Sequence, residues 1–100
     1  MRVIYHPDAE SELIRAAEFY EKQVPSLGVQ FLDAMEKAAA SIIESPKRWR
    51  ILEKDVRRFL LLRFPFAIYY RAPGDHIRIL AVKHHSRHPD CWRARLQHEG

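Results

Sequence analysis

The chain has one cysteine in 100 residues. Cys91 therefore has no partner for an internal disulfide, and this cysteine usage fits a reducing cytoplasm. No apolar run approaches the roughly 20 residues that a membrane-spanning helix needs. No secretory leader is expected, because the opening residues, MRVIYHPDAE, are already charged and patterned. Glycine is scarce, at three residues. Repeats, low-complexity tracts and linkers are missing as well. What is left is one cytoplasmic domain spanning residues 1–100, too short for a second core.

The composition is 47% hydrophobic and 30% charged, as in an ordinary globular protein. A domain of this size has a stability on the order of 5–10 kcal/mol, so binding a partner changes its stability appreciably. The net charge of +4 conceals an asymmetry. Residues 1–45 carry four Lys/Arg against eight Asp/Glu, a balance of −4, and residues 46–100 carry thirteen against five, a balance of +8. A basic half is the footprint of an anionic partner, either nucleic acid or an acidic protein segment, or else a solvated face that keeps the protein soluble.

Val3–Tyr5 reads as a short strand stopped by Pro7. Asp8 is then expected to cap a helix in which Ala9, Leu13, Ala16, Ala17 and Tyr20 form the inner stripe and Glu10, Glu12 and Glu18 the outer face. The helix should stop at Val24-Pro25. Ser26 is expected to cap a second helix with the stripe Leu27, Phe31, Met35, Ala38 and Ile42, ended by Ser45-Pro46. So short a connection predicts an antiparallel helical hairpin. Residues 47–57, KRWRILEKDVR, read as an irregular basic connection. Three strands follow, over 57–63, 66–71 and 76–83, with Ala72–Asp75 as a turn. Phe66, Ile68 and Tyr70 share one face of their strand, and Ala67 and Tyr69 the other. Residues 89–96 predict a short terminal helix. The order β-α-α-β-β-β-α is an α+β domain, with the hairpin on one face of a small antiparallel sheet and the other face, or a groove at its edge, available for function.

The last strand runs out into Lys83, His84, His85, Arg87 and His88, which admits three readings. His84, His85, His88 and Cys91 are zinc-ligand types. Adjacent strand residues point to opposite faces, however, and neither a second cysteine nor an HExxH helix is present, so no metal site is expected. Phosphate chemistry is the second reading: Arg57, Arg58, Arg63, Lys83 and Arg87 would hold an anion, and a histidine would transfer a proton. The third is structural, with the histidines as the polar end of a strand and Trp92 packing the last helix. Trp49, Tyr69, Tyr70 and Trp92 divide in the same way between packing and stacking on RNA bases.

Taken together, HPDAESELIRAAEFYEKQVPSLGVQFLDAMEKAAASIIESPKRWR and VRRFLLLRFPFAIYYRAPGDHIRILAVKHHSRHPDCWRAR resemble the RelE/ParE superfamily of type II toxin–antitoxin toxins, on its ParE-like side. The specific parts are Ala9…Glu12-Leu13, Arg57-Arg58…Arg63-Phe64-Pro65-Phe66…Tyr70, and Ala81-Val82…His85…Arg87…Pro89…Trp92-Arg93. The resemblance implies a bacterial cytoplasmic toxin without a cofactor, held inactive in a complex with a cognate antitoxin. It implies one of two targets. RelE-like members cut mRNA on the ribosome without metal, and ParE-like members poison DNA gyrase. A degenerate member that only binds its antitoxin and assists operator binding is the alternative. On the nuclease branch, His85, Arg87, His84 and Arg63 are the catalytic candidates, and Arg57, Arg58 and Lys83 the RNA- or anion-binding ones. Cys91 stands where many such sequences carry tyrosine, and an unactivated thiol is a poor substitute.

Overall fold

The computed structural model describes residues 1–86 and 89–98, the side chains of 89–91, 97 and 98 excepted. Arg87, His88 and the Cys91 side chain therefore lie outside the described residues. In chain order the elements are β1 (Arg2–Tyr5), α1 (Pro7–Gln23), α2 (Leu27–Glu44), β2 (Ile51–Glu53), β3 (Val56–Leu60), β4 (Phe66–Arg71), β5 (His76–His84) and a 3-10 helix (Pro89–His98). The sheet has five strands in the order β1-β5-β4-β3-β2. β2 through β5 form an antiparallel meander, whereas β1 lies parallel to β5, from Arg2 opposite His76 to Tyr5 opposite Ile79. The sheet is thus mixed rather than wholly antiparallel, because the chain returns to β5 from the far side after both helices.

The helical stripe of α2 is buried as its spacing predicts, with Phe31, Met35, Ala38 and Ile42 between 0% and 4% exposed. It packs on Ile68, Tyr70, Ile77, Ile79 and Val82, the sheet face that β4 and β5 turn toward the helices. Phe31 sits in an aromatic cluster, with ring centroids 5.3 Å from Tyr20, 5.2 Å from Phe64 and 5.1 Å from Phe66. The two helices cross closely at Gly28. A β-carbon there would come within 2.5 Å of the Ala17 carbonyl oxygen and 2.9 Å of the Glu21 β-carbon.

Both expected caps are replaced. His6, not Asp8, is the N-cap of α1, and its Nδ1 accepts the Asp8 amide at 3.1 Å. Ser26 is the N-cap residue of α2 but lies in the left-handed region (φ 72°) and its hydroxyl makes no capping bond. The Glu21 carboxylate does that work from α1, accepting the amides of Ser26 at 2.8 Å and Gly28 at 2.9 Å. An acid reaching across satisfies two of the free amides that begin any helix.

The second sheet face is not open. The 3-10 helix lies over it and inserts Trp92, 1% exposed, against Val56, Ala67, Tyr69, Leu80 and Ala81. Residues 47–57 also hold more than a connection, since Ile51–Glu53 pairs with β3 as the outermost strand. β3 itself ends at Leu60, which leaves Arg63 in the β3–β4 loop.

Candidate functional site

The end of β5 and the β3–β4 loop meet at one end of the sheet. Phe66 is opposite His84, and the His85 amide donates to the Pro65 carbonyl at 2.9 Å. The His84 ring stands edge-on to Phe66 at 5.6 Å and 5.3 Å from the ring of His85. His84 Nδ1 accepts the Ser86 amide at 3.2 Å and lies 2.7 Å from its hydroxyl. The acceptor role at Nδ1 puts the proton of the neutral ring on Nε2. His85 is exposed. A cleft of about 380 Å³ opens here between α1 and β5, lined by Arg15, Phe19, Phe66, Lys83 and His84 among others.

Lys83 is not a free cation. Its Nζ is 2.6 Å from the Glu12 carboxylate, whose side chain is only 6% exposed. Glu12 also accepts the Val82 amide at 3.0 Å and both terminal nitrogens of Arg95, at 2.9 and 2.8 Å. Arg95 donates in addition to the Leu80 carbonyl at 2.8 Å. Burial pushes the Glu12 carboxyl up, but Arg95, Lys83 and the Val82 amide outweigh it and hold the group below its ordinary value. The outer-face expectation for Glu12 is thereby corrected. β1 stops at Tyr5, and from there the carboxylate, rather than a strand, occupies the edge of β5. The sequence held a signal for this. Glu12 stands three residues after Ala9 and four before Ala16, on the buried stripe. Arg95 carried no comparable signal.

The arginines spread out. Arg63 donates to the Gln30 side chain, and its guanidinium lies over the Phe64 ring at 5.3 Å. Arg57 is opposite Tyr70, and its Nη1 donates to the carbonyls of Lys47 at 3.0 Å and Trp49 at 2.8 Å. Arg58 is opposite Tyr69, which is opposite Ala81, so it stands two strands across and three residues back from His84. Strand geometry makes that about 14 Å. The backbone therefore gathers Lys83, His84, His85 and the Arg63 loop, but not Arg57 and Arg58.

The aromatic residues divide toward packing. Tyr69, Tyr70 and Trp92 are buried, and Trp49 is half-buried edge-on to Phe59 at 4.6 Å. The Tyr70 hydroxyl donates to the Pro46 carbonyl at 2.7 Å, and burial pushes its pKa up to about 12 against the opposing influence of Arg57. A phenol so held stays protonated near neutral pH, with its proton committed to the Pro46 carbonyl. On the opposite flank an apolar groove of about 230 Å³ runs between α2 and the β3–β4 loop, lined by Ala34, Ala38, Phe59, Leu61 and Leu62, with Lys37 and Arg63 at its rim. Leu62 is wholly exposed. No described helix is long and apolar enough to cross a membrane.

Residues 3–89 match the model of the family described as "ParE toxin of type II toxin-antitoxin system, parDE". The chain belongs to the ParE toxin family. It is 29% identical over 99 residues to Toxin ParE2 of Mycobacterium tuberculosis in strains CDC 1551/Oshkosh and H37Rv, an alignment covering 95% of this chain and 91% of each relative. Among solved structures it resembles a chain of the "Chromosomal ParDE TA system from P. aeruginosa", with a TM-score of 0.72 and 20% identity over 84% of this chain and 95% of that one. At that identity the likeness is one of fold, and it carries the two-helix hairpin on a sheet.

Proposed function

We propose that this chain is a gyrase-directed toxin that acts by binding rather than by cutting mRNA, and that an antitoxin segment neutralises it in the bacterial cytoplasm. The pairing of Lys83 with Glu12 carries the reading. Metal-free cleavage of RNA needs cations free to take up charge growing on the phosphate, next to a proton-transfer pair. Beside His84 and His85, Lys83 is already neutralised and Arg63 is turned to the Gln30 side chain and the Phe64 ring, while Arg57 is held on main-chain carbonyls. Membership of the ParE family points the same way, since the resemblance assigns gyrase to the ParE-like members.

The apolar groove beside α2 suits an antitoxin segment that carries aliphatic side chains. Arg63 and Lys37 at the rim suit acidic ones. Leu62, wholly exposed, is its natural anchor point. Polar rim contacts weaken as salt rises, and the apolar contacts do not.

One culture tests the target. The protein is induced alone in bacteria, and gyrase–DNA cleavage and mRNA 5′ ends are mapped from the same cells. Accumulation of gyrase-linked DNA breaks with no new mRNA ends is the expected result. Codon-phased mRNA ends that vanish in His85→Gln would overturn the reading and restore His85, His84, Arg63 and Arg87 as the catalytic candidates. Growth unaffected by induction would instead mark a degenerate member that only binds its antitoxin.

A further inference from the structure

Residues 47–58 run into β2, the outermost strand, and into β3 beside it, and carry six cations, Lys47, Arg48, Arg50, Lys54, Arg57 and Arg58. The same stretch has two acids, and both are engaged from outside it. Glu53 holds Arg93 at 2.8 and 3.1 Å, and Asp55 holds Arg71 at 2.7 and 3.0 Å. The six positive charges are therefore not cancelled locally. Among the described residues, Lys47, Arg48, Arg50, Lys54 and Arg58 make no ion pair.

Two of these cations share a cross-strand position. Arg58 donates its amide to the Arg50 carbonyl at 3.1 Å, and the register in which Ile51 faces Arg57 puts Arg50 opposite Arg58. Like charges directly opposite on neighbouring strands repel. An anion placed between them removes the repulsion and meets two planar guanidinium forks, the geometry that suits phosphate.

The chemistry around the edge selects the anion. An acidic peptide needs apolar anchors, and the only large apolar side chain exposed within the stretch is Ile51. Single-stranded RNA needs exposed aromatic platforms, and Trp49 is instead packed against Phe59, with the Arg48 guanidinium over its ring at 4.9 Å. A polyanion recognised by its backbone alone needs neither, and duplex DNA is such a ligand.

We infer that the β2–β3 edge is a duplex-DNA backbone site, centred on Arg50 and Arg58, that lets the toxin lie against DNA. This stands apart from the choice of target, because it is measured without gyrase.

The experiment is fluorescence anisotropy of a labelled 20-base-pair duplex titrated with the full chain from 25 to 200 mM salt. The expected result is micromolar binding at low salt, with log K falling linearly with log salt at about 0.9 per phosphate contact. Arg50→Ala with Arg58→Ala should flatten that slope by about 2. Arg48→Glu with Arg50→Glu, both exposed, should abolish binding and covers the case in which Arg58→Ala unfolds the domain. Arg2→Ala with Lys22→Ala, on β1 and α1, removes the same net charge as the Arg50/Arg58 alanine pair and should leave the slope unchanged. Three results would each overturn the site: an equal loss in the Arg2/Lys22 control, which would mark net-charge attraction only; no binding at 25 mM salt; or a poly-glutamate peptide of matched charge displacing the duplex at lower concentration, which would assign the edge to an acidic protein segment.

Discussion

The Glu12 carboxylate accepts the Val82 amide at 3.0 Å across 70 residues of chain. The same carboxylate takes both terminal nitrogens of Arg95, across 83 residues. One side chain on α1 thereby fixes the free edge of β5 and the 3-10 helix behind it. With Arg95 at 13% and Glu12 at 6% side-chain exposure, the pair sits largely out of water. Removing one partner of a buried pair typically costs about 3–5 kcal/mol, because the other charge is left stranded. Glu12→Ala should therefore lower the urea midpoint sharply, as read by urea titration. Glu12→Gln keeps an acceptor for Val82 and should lose less. A Glu12→Ala protein with an unchanged urea midpoint would remove the hub from the account.

The same group sets an acid limit. The Glu12 carboxyl is held below its ordinary value in the folded protein, so the folded state binds its proton less readily than the unfolded chain does. Its stabilisation is complete above the unfolded carboxylate pKa of about 4.3 and is lost as pH falls through the lower folded value. Urea midpoints should be flat near neutrality and drop below about pH 5. The drop should be shallower in Glu12→Gln, and equal slopes in the two proteins would assign the acid sensitivity to other carboxylates.

Gly28 is required by space rather than by dihedral angle, since no glycine has positive φ among the described residues. The 2.5 Å approach of a β-carbon to the Ala17 carbonyl involves backbone, which yields only if the helices part. Gly28→Ala should cost about 1–3 kcal/mol. In a domain of this size that lowers the melting temperature by roughly 4–8 °C per kcal/mol. A melting temperature at or above that of the parent protein would show that the hairpin opens freely.

Phe31→Ala removes the centre of the aromatic cluster on α2 and should cost about 3–5 kcal/mol. Calorimetry would register this as a large loss of melting temperature. An unchanged melt would mean that α2 does not turn this face inward.

His85→Gln touches an exposed ring that the binding mode does not need. Growth inhibition by the induced variant should stay within about twofold of the parent, whereas an acid–base group contributes about 10²–10⁴-fold. Loss of toxicity with folding intact would return the histidine to catalysis.

The parts legible in the sequence are those that periodicity reports. The stripe of α2 and the alternating faces of β4 were readable because burial on one side leaves a repeat of 3.6 or 2. β2 was hidden because an edge strand inside KRWRILEKDVR needs few apolar residues and carries charge along its margin. The parallel pairing of β1 and the capping of α2 by Glu21 depend on partners remote in sequence or on another helix, and local pattern carries neither. The candidate site was half legible. Residues 83–85 form one run and stay together in space, but the distance of Arg57 and Arg58 from that run is set by a register that composition does not encode.

The parallel seam between β1 and β5 also fixes an order of events during synthesis. Tyr5 leaves the ribosome long before Ile79, the residue it faces. At about 5–20 residues per second the interval is roughly 4–15 s. Through it the helical hairpin, made of contacts close in sequence, forms ahead of the sheet that will cover Phe31, Met35 and Ile42. The seam that closes the domain is thus available only once nearly the whole chain has been made, and the apolar face of the hairpin waits for it.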